Sequence, residues 1–237
     1  MSTKNKKKKE EESSLNLDHL IKKVVGFYER EQRVINIVSA AVVIVLALSL
    51  AYFLYYVPKQ QEKAEISIFK AERYFGMDSL QLALNGDGDH MGLLSVIDEY
   101  GRTPSGNRAK YMAGICYLKL GQFDEAITWL KKVNLKDKLI SGQALGSLGD
   151  AYMENNDLEN AMKYYKKAVS QNPNEIVTPV YLLRLGWLCE MQGLWKDAVS
   201  YYETLQHEYA QPQSQSQPFE VMDIEKRIAF AKTKISK

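Results

Sequence analysis

Three histidines, two cysteines and one acidic, glycine-rich loop are the residues of this chain whose types could do chemistry. His19, His90 and His207 lie in separate regions. None belongs to a HExxH pair, which would aim two imidazoles at one metal from a single helix face. Gly86-Asp87-Gly88-Asp89-His90 begins like a calcium loop, but the acidic ligands needed further on are missing, so the spacing predicts a plain turn. Cys116 and Cys189 sit in separate helical stretches. Helices stacked at about 10 Å would hold the two sulfurs beyond disulfide reach. They read as small apolar core residues, and they leave the redox compartment undecided. Neither a glycine-rich phosphate loop nor Gly-x-Ser-x-Gly occurs. The chain is therefore expected not to be an enzyme and to require no metal or cofactor.

The elements around these residues are more informative. Val34 to Val57 contains no charge, proline or glycine. As a helix its 24 residues would measure about 36 Å, enough to cross a hydrocarbon core of about 30 Å with some tilt. A buried core helix of this length would carry a polar stripe, and this one offers only Asn36, Ser39 and Ser49. A cleavable signal would have a shorter apolar run ending at small residues. This run ends in Tyr52-Phe53-Leu54-Tyr55-Tyr56, a cluster suited to the headgroup zone. An uncleaved transmembrane anchor over 34–57 is the expectation.

Charge divides the chain further. The first 33 residues hold nine of the 31 Lys/Arg and six of the 29 Asp/Glu, leaving 22 against 23 in the remainder. A near-neutral body lacks the basic face that nucleic acid requires. Near the span the basic residues are level: Lys22, Lys23, Arg30 and Arg33 before it, Lys59, Lys63, Lys70 and Arg73 after it. The head is nevertheless the more basic tail, and long domains translocate largely regardless of charge, so the head is expected inside and the body outside. Residues 1–14, with Lys4 to Lys9 followed by Glu10-Glu11-Glu12, read as a charged disordered head. Over 15–33, Leu17, Leu20, Ile21, Val24 and Tyr28 recur at helical spacing, which suits an amphipathic helix on the membrane face or against a partner.

The body repeats itself. Gly92, Ala126, Ala161 and Ala198 are candidate openings of second helices, with Val96, Leu130, Tyr165 and Tyr202 four residues later. Upstream, Gly114-x-x-Tyr117, Gly149-x-x-Tyr152 and Gly186-x-x-Cys189 form a second register, and Gly121, Asn156 and Gly193 mark the turns within pairs. Small residues let helices cross closely, and an aromatic fills the hollow beside them. The pattern resembles the tetratricopeptide repeat, a stack of helix pairs of about 34 residues. An all-α solenoid follows: a degenerate first unit over 60–105, with extra residues between Tyr74 and Gly92, then three units at 107–140, 142–175 and 179–212. Gln211 to Pro218 reads as a linker, and 219–236 as an amphipathic helix capping the last apolar face.

The resemblance implies a groove walled by the first helix of each pair. Carried onto this chain, its positions are Arg108, Tyr111, Ile115, Leu118 and Lys119, then Gln143, Gly146, Asp150, Met153 and Glu154, then Val180, Leu183, Trp187, Glu190 and Met191. The Lys/Asn set with which chaperone-tail-binding members grip a terminal carboxylate is absent. The wall looks suited to an amphipathic or partly unfolded segment. The alternative is that some of these residues pack on the first unit or on the C-terminal helix.

The stretch Tyr100-Gly-Arg-Thr-Pro-Ser-Gly-Asn107-Arg-Ala-Lys-Tyr111-Met-Ala-Gly114, followed by Tyr117-Leu-Lys-Leu-Gly121, resembles the YfgM-like ancillary subunits of the SecYEG translocon. That resemblance implies a non-enzymatic protein of the bacterial inner membrane, with a cytoplasmic N-terminus and a periplasmic repeat body. Its partners would be SecYEG, a membrane-anchored periplasmic chaperone and secreted clients. An anchored scaffold for another envelope machine, or an adaptor with its body in the cytoplasm, stays open beside it.

Overall fold

The computed structural model describes residues 26, 32–34, 36–136, 140–171, 173–209 and 221–236. The charged head, most of the helix expected over 15–33, His19 and the Gln/Ser/Pro linker lie outside these. The chain divides into two units, Met1–Pro58 and Lys59–Lys237. In the first, the described residues are helical, and the span's large apolar side chains are exposed. The helix to which they belong, Gln32–Gly76, is long and apolar enough to cross a membrane. At its aromatic cluster, Tyr52–Tyr56 forms a π-helical turn that stacks the Tyr52 and Tyr56 rings at 5.2 Å.

The second unit is an all-α solenoid. Its helices are α1 (Val57–Gly76), α2 (Leu80–Asn85), α3 (Leu93–Tyr100), α4 (Pro104–Lys119), α5 (Phe123–Lys131), α6 (Ser141–Glu154), α7 (Leu158–Gln171), α8 (Thr178–Met191), α9 (Trp195–Thr204) and α10 (Val221–Ile235). A π-helical turn, Leu205–Tyr209, continues α9. No strand occurs among the described residues. From α3 onward each helix packs on the next in chain order, the nearest-neighbour economy of a repeat stack.

Local chemistry sets the helix ends. Pro104 occupies the first turn of α4, where its missing N–H is no loss, and the Thr103 hydroxyl accepts from the Gly106 amide at 3.0 Å. Gly121, Asn156 and Gly193 have φ of 73°, 60° and 71°, the left-handed values that close the first helix of each pair. The same two backbone bonds recur at all three turns: Gln122, Asp157 and Leu194 donate to the carbonyls of Tyr117, Tyr152 and Cys189 at 2.8–2.9 Å, and the turn residue donates to Leu118, Met153 or Glu190.

Close contact decides the small residues. Ala126, Ala161 and Ala198 are fully buried, each in the fourth position of its second helix. A Cβ on Gly149 would lie 2.5 Å from the Tyr165 ring, and one on Gly114 2.6 Å from Leu130; at Gly186 it would strike Tyr202. Aromatic and aliphatic side chains of the second helices therefore rest directly on the first-helix backbone.

The first unit departs from the expected register. Gly92 is the N-cap of α3 rather than a residue inside it, and Val96, fully buried in the fourth position, matches Ala126. Gly92 is required for a different reason. A Cβ there would collide with the Leu84 carbonyl, because an isolated antiparallel bridge between Gly86 and Met91 draws the chain back on itself. The extra residues form α2 and this loop, so the unit holds three helices instead of a pair.

Candidate protein-interaction cleft

The loop after α2 is a turn organised around Asp87. One carboxylate oxygen accepts from the amides of Asp89 and His90 at 3.0 and 2.7 Å, and the other accepts from the Tyr74 hydroxyl at 2.6 Å. His90 Nδ1 lies 3.0 Å from the second oxygen. These donors, the Tyr74 hydroxyl foremost, hold the Asp87 carboxyl far below its ordinary value. Cys116 and Cys189 are buried free thiols in different apolar cores, one among α1–α4 and one among α8–α10.

The wall carried by α4, α6 and α8 is consumed in part by the fold itself. Arg108 reaches back to α1, where it pairs with Glu65 at 3.0 Å and Glu72 at 3.2 Å. Lys119 pairs with Asp78 at 2.6 Å. Ile115 and Leu118 are half-buried against the central core. Leu183 does not line a cleft; it is buried among Ala198, Val199 and Tyr202. Burial raises the Tyr111 hydroxyl above its ordinary value and pushes the Tyr181 hydroxyl up to about 12. The Tyr181 ring lies on Gly146, where no Cβ would fit.

Five of the anticipated groove positions do come together. Asp150, Met153, Glu154, Trp187 and Met191, with Tyr165, Arg184 and Leu188, line an open cleft of about 190 Å³ between α6 and α8. Trp187 is 41% exposed and Met191 64%, two large apolar side chains left open in the same cleft. A second, larger hollow along α7 is lined by Glu159, Met162, Lys163, Lys166 and Gln192, and offers one apolar side chain.

Sequence spacing missed Arg184 and Arg227, which set the electrostatics of the cleft. Asp150 accepts the Tyr165 hydroxyl at 2.7 Å and forms an ion pair with Arg184. Glu190 accepts the Tyr202 hydroxyl at 3.0 Å and pairs with Arg227 of α10 at 3.0 Å. In each case a first-helix carboxylate takes a tyrosine from its own second helix and an arginine from the next helix that packs beside it. Arg227 also lies 5.2 Å over the Trp187 ring, a cation–π contact that fixes one face of the indole. The only sequence signal for this device was the Tyr165/Tyr202 row. The carboxylates fall one residue after Gly149 but four after Gly186, so no spacing links them.

The stack of helix pairs has the architecture of a tetratricopeptide-repeat solenoid, and its first-helix wall leaves an aromatic and a methionine exposed. Residues 108–134 and 142–175 match the tetratricopeptide repeat family. The chain is 32% identical over 85 residues to the photosystem I assembly protein Ycf3 of Prochlorococcus marinus, a stretch that is 35% of this chain and 47% of that protein. The chain thus spans about half the length of that relative. Among solved structures, it is similar to a kinesin-light-chain-type protein of Podosopora anserina with nearly identical tetratricopeptide-like repeats (TM-score 0.55, 17% identity, 73% of this chain and 87% of that one). MamA is also similar (TM-score 0.53, 18% identity, 74% and 84%). These likenesses concern the fold alone.

Proposed function

We propose that the protein is a membrane-anchored interaction module that works by binding and not by catalysis, serving as an ancillary subunit of the SecYEG translocon. In this reading the repeat body lies in the periplasm and engages a membrane-anchored chaperone or emerging secreted segments. The observation that carries it is the pairing of an apolar helix long enough for a bilayer with a repeat body whose cleft leaves Trp187 and Met191 open to a partner. The resemblance around Tyr100 to Gly121 supplies the choice of machine.

Two measurements test this. Cys116 and Cys189 are buried, so a Lys196→Cys variant supplies an exposed thiol. A membrane-impermeant maleimide should label it on intact spheroplasts, and labelling only after lysis would put the body in the cytoplasm. Affinity purification of the full chain in mild detergent should then recover translocon subunits, and a Trp187→Ala/Met191→Ala variant should lose the body's partner. The likeness to a photosystem I assembly protein favours a second reading, an anchored scaffold that holds parts of another membrane complex during assembly. Recovery of such a complex without translocon subunits would select it.

A further inference from the structure

The cleft contains both signs of charge, but they are not equally available. Arg184 is committed to Asp150, and Arg227 is committed to Glu190 and to the Trp187 face. Each of those carboxylates also holds a tyrosine hydroxyl, so releasing either arginine would leave a half-buried carboxylate and its hydroxyl partner without their cation. Glu154 differs. It is exposed at the end of α6 and forms no ion pair or hydrogen bond among the described residues. Around it stand Met153 and Met191, adaptable side chains suited to enclosing an aliphatic group against the fixed Trp187 ring.

We propose that the cleft selects a segment carrying an aliphatic side chain flanked by a lysine or arginine, which pairs with Glu154, and that it rejects acidic segments and free C-terminal carboxylates. This inference rests on the interaction-module reading and specifies its partner's chemistry. An acidic segment would find no uncommitted cation in the cleft and would face Glu154 directly. A basic one would gain an ion pair at the rim while its apolar neighbour covers the indole.

The test uses the full chain in nanodiscs of zwitterionic phosphatidylcholine, with empty discs as the blank. Three decapeptides with the same leucines and methionine carry lysine, glutamine or glutamate at the flanking positions. Binding is read by calorimetry on the wild type and by indole fluorescence in a Trp129→Phe/Trp195→Phe variant, which keeps only Trp187. The lysine peptide should bind roughly twofold to fivefold more tightly than the glutamine peptide, the range for one exposed ion pair, with the glutamate peptide weakest. Glu154→Lys should invert the order. Equal or tighter binding of the glutamate peptide, an order unchanged by Glu154→Lys, or no binding of any peptide would each overturn the proposal. Partner loss in the Trp187→Ala/Met191→Ala chain is measured separately, so the interaction reading can stand when the peptide preference falls.

Discussion

The two ends of α6 and α8 face each other across the same helix pair, yet one end is closed and the other is a cleft. At the N-terminal end, Gly146 lets the Tyr181 ring lie on the backbone, and Tyr111 packs with it against the central core. At the C-terminal end the corresponding space is bounded by Asp150 and Arg184, which neutralise each other, and by Trp187, which Arg227 holds in place. The helix geometry is shared. The difference comes from whether a neighbour's side chain finds bare backbone to rest on. A groove position in a repeat is thus only an opportunity, and the side chain opposite decides whether the fold or a partner uses it.

The largest effect that can challenge this contrast is on stability. Gly146→Leu would drive a branched side chain into the Tyr181 ring, whereas Met191→Leu changes an exposed side chain. The first should destabilise by about 3 kcal/mol and the second by less than about 0.5 kcal/mol, measured by urea denaturation. Comparable losses at both sites would mean that the cleft is packed as tightly as the closed end. Next in size is binding. Trp187→Ala should weaken partner association by about 2 kcal/mol, because exposed aromatics held rigid by neighbours carry much of a small interface. Alanine at His90 or His207 should leave that association unchanged in the same co-purification.

The helix pairing was readable because it is written in local chemistry. Gly121, Asn156 and Gly193 announce left-handed turns, and Gly149 and Gly186 precede Tyr165 and Tyr202 by a constant sixteen residues. The first unit misled because Gly92 satisfies the repeat spacing for an unrelated reason, a close backbone approach at the Gly86–Met91 bridge. The cleft was half legible. Position along the first helix picked out Asp150, Met153, Glu154, Trp187 and Met191 but gave equal weight to Arg108, Tyr111 and Leu183, which the fold uses itself. Ion pairs that join different repeats depend on side-chain reach across about 34–43 residues of sequence. No period in the chain encodes that reach.

A smaller effect separates the first unit from the rest by pH. The folded Asp87 carboxyl is held below its ordinary value of 3.8 by the Tyr74 hydroxyl and the loop amides. Its contribution to stability is therefore fully present above that value and is lost as pH falls through the lower folded value. The urea midpoint of the wild type should decline below about pH 4, and Asp87→Asn should flatten that part of the decline. An identical acid limb in the variant would show that the loop carboxylate does not couple to folding.

The last prediction concerns a reaction expected not to occur in the folded protein. Burial pushes the thiols of both Cys116 and Cys189 up to about 11 and removes them from solvent. At pH 8 neither should react with a maleimide under native conditions, and each should become reactive only when its own core opens. Cys116 reports the core of α1–α4 and Cys189 that of α8–α10. A repeat stack bound by nearest-neighbour contacts can open from one end, so the two thiols need not appear at the same urea concentration. Cys189 should react first, because its core is closed by the single helix α10, whose outer Phe230 remains half exposed. Cys116 is enclosed by helices on both sides. Peptide mapping of the labelled chain across a urea series gives the two midpoints directly. Coincident midpoints would mean that the solenoid unfolds as one cooperative body. In that case the closed and open ends of α6 and α8 would differ in what they present to a partner and not in how firmly they are held.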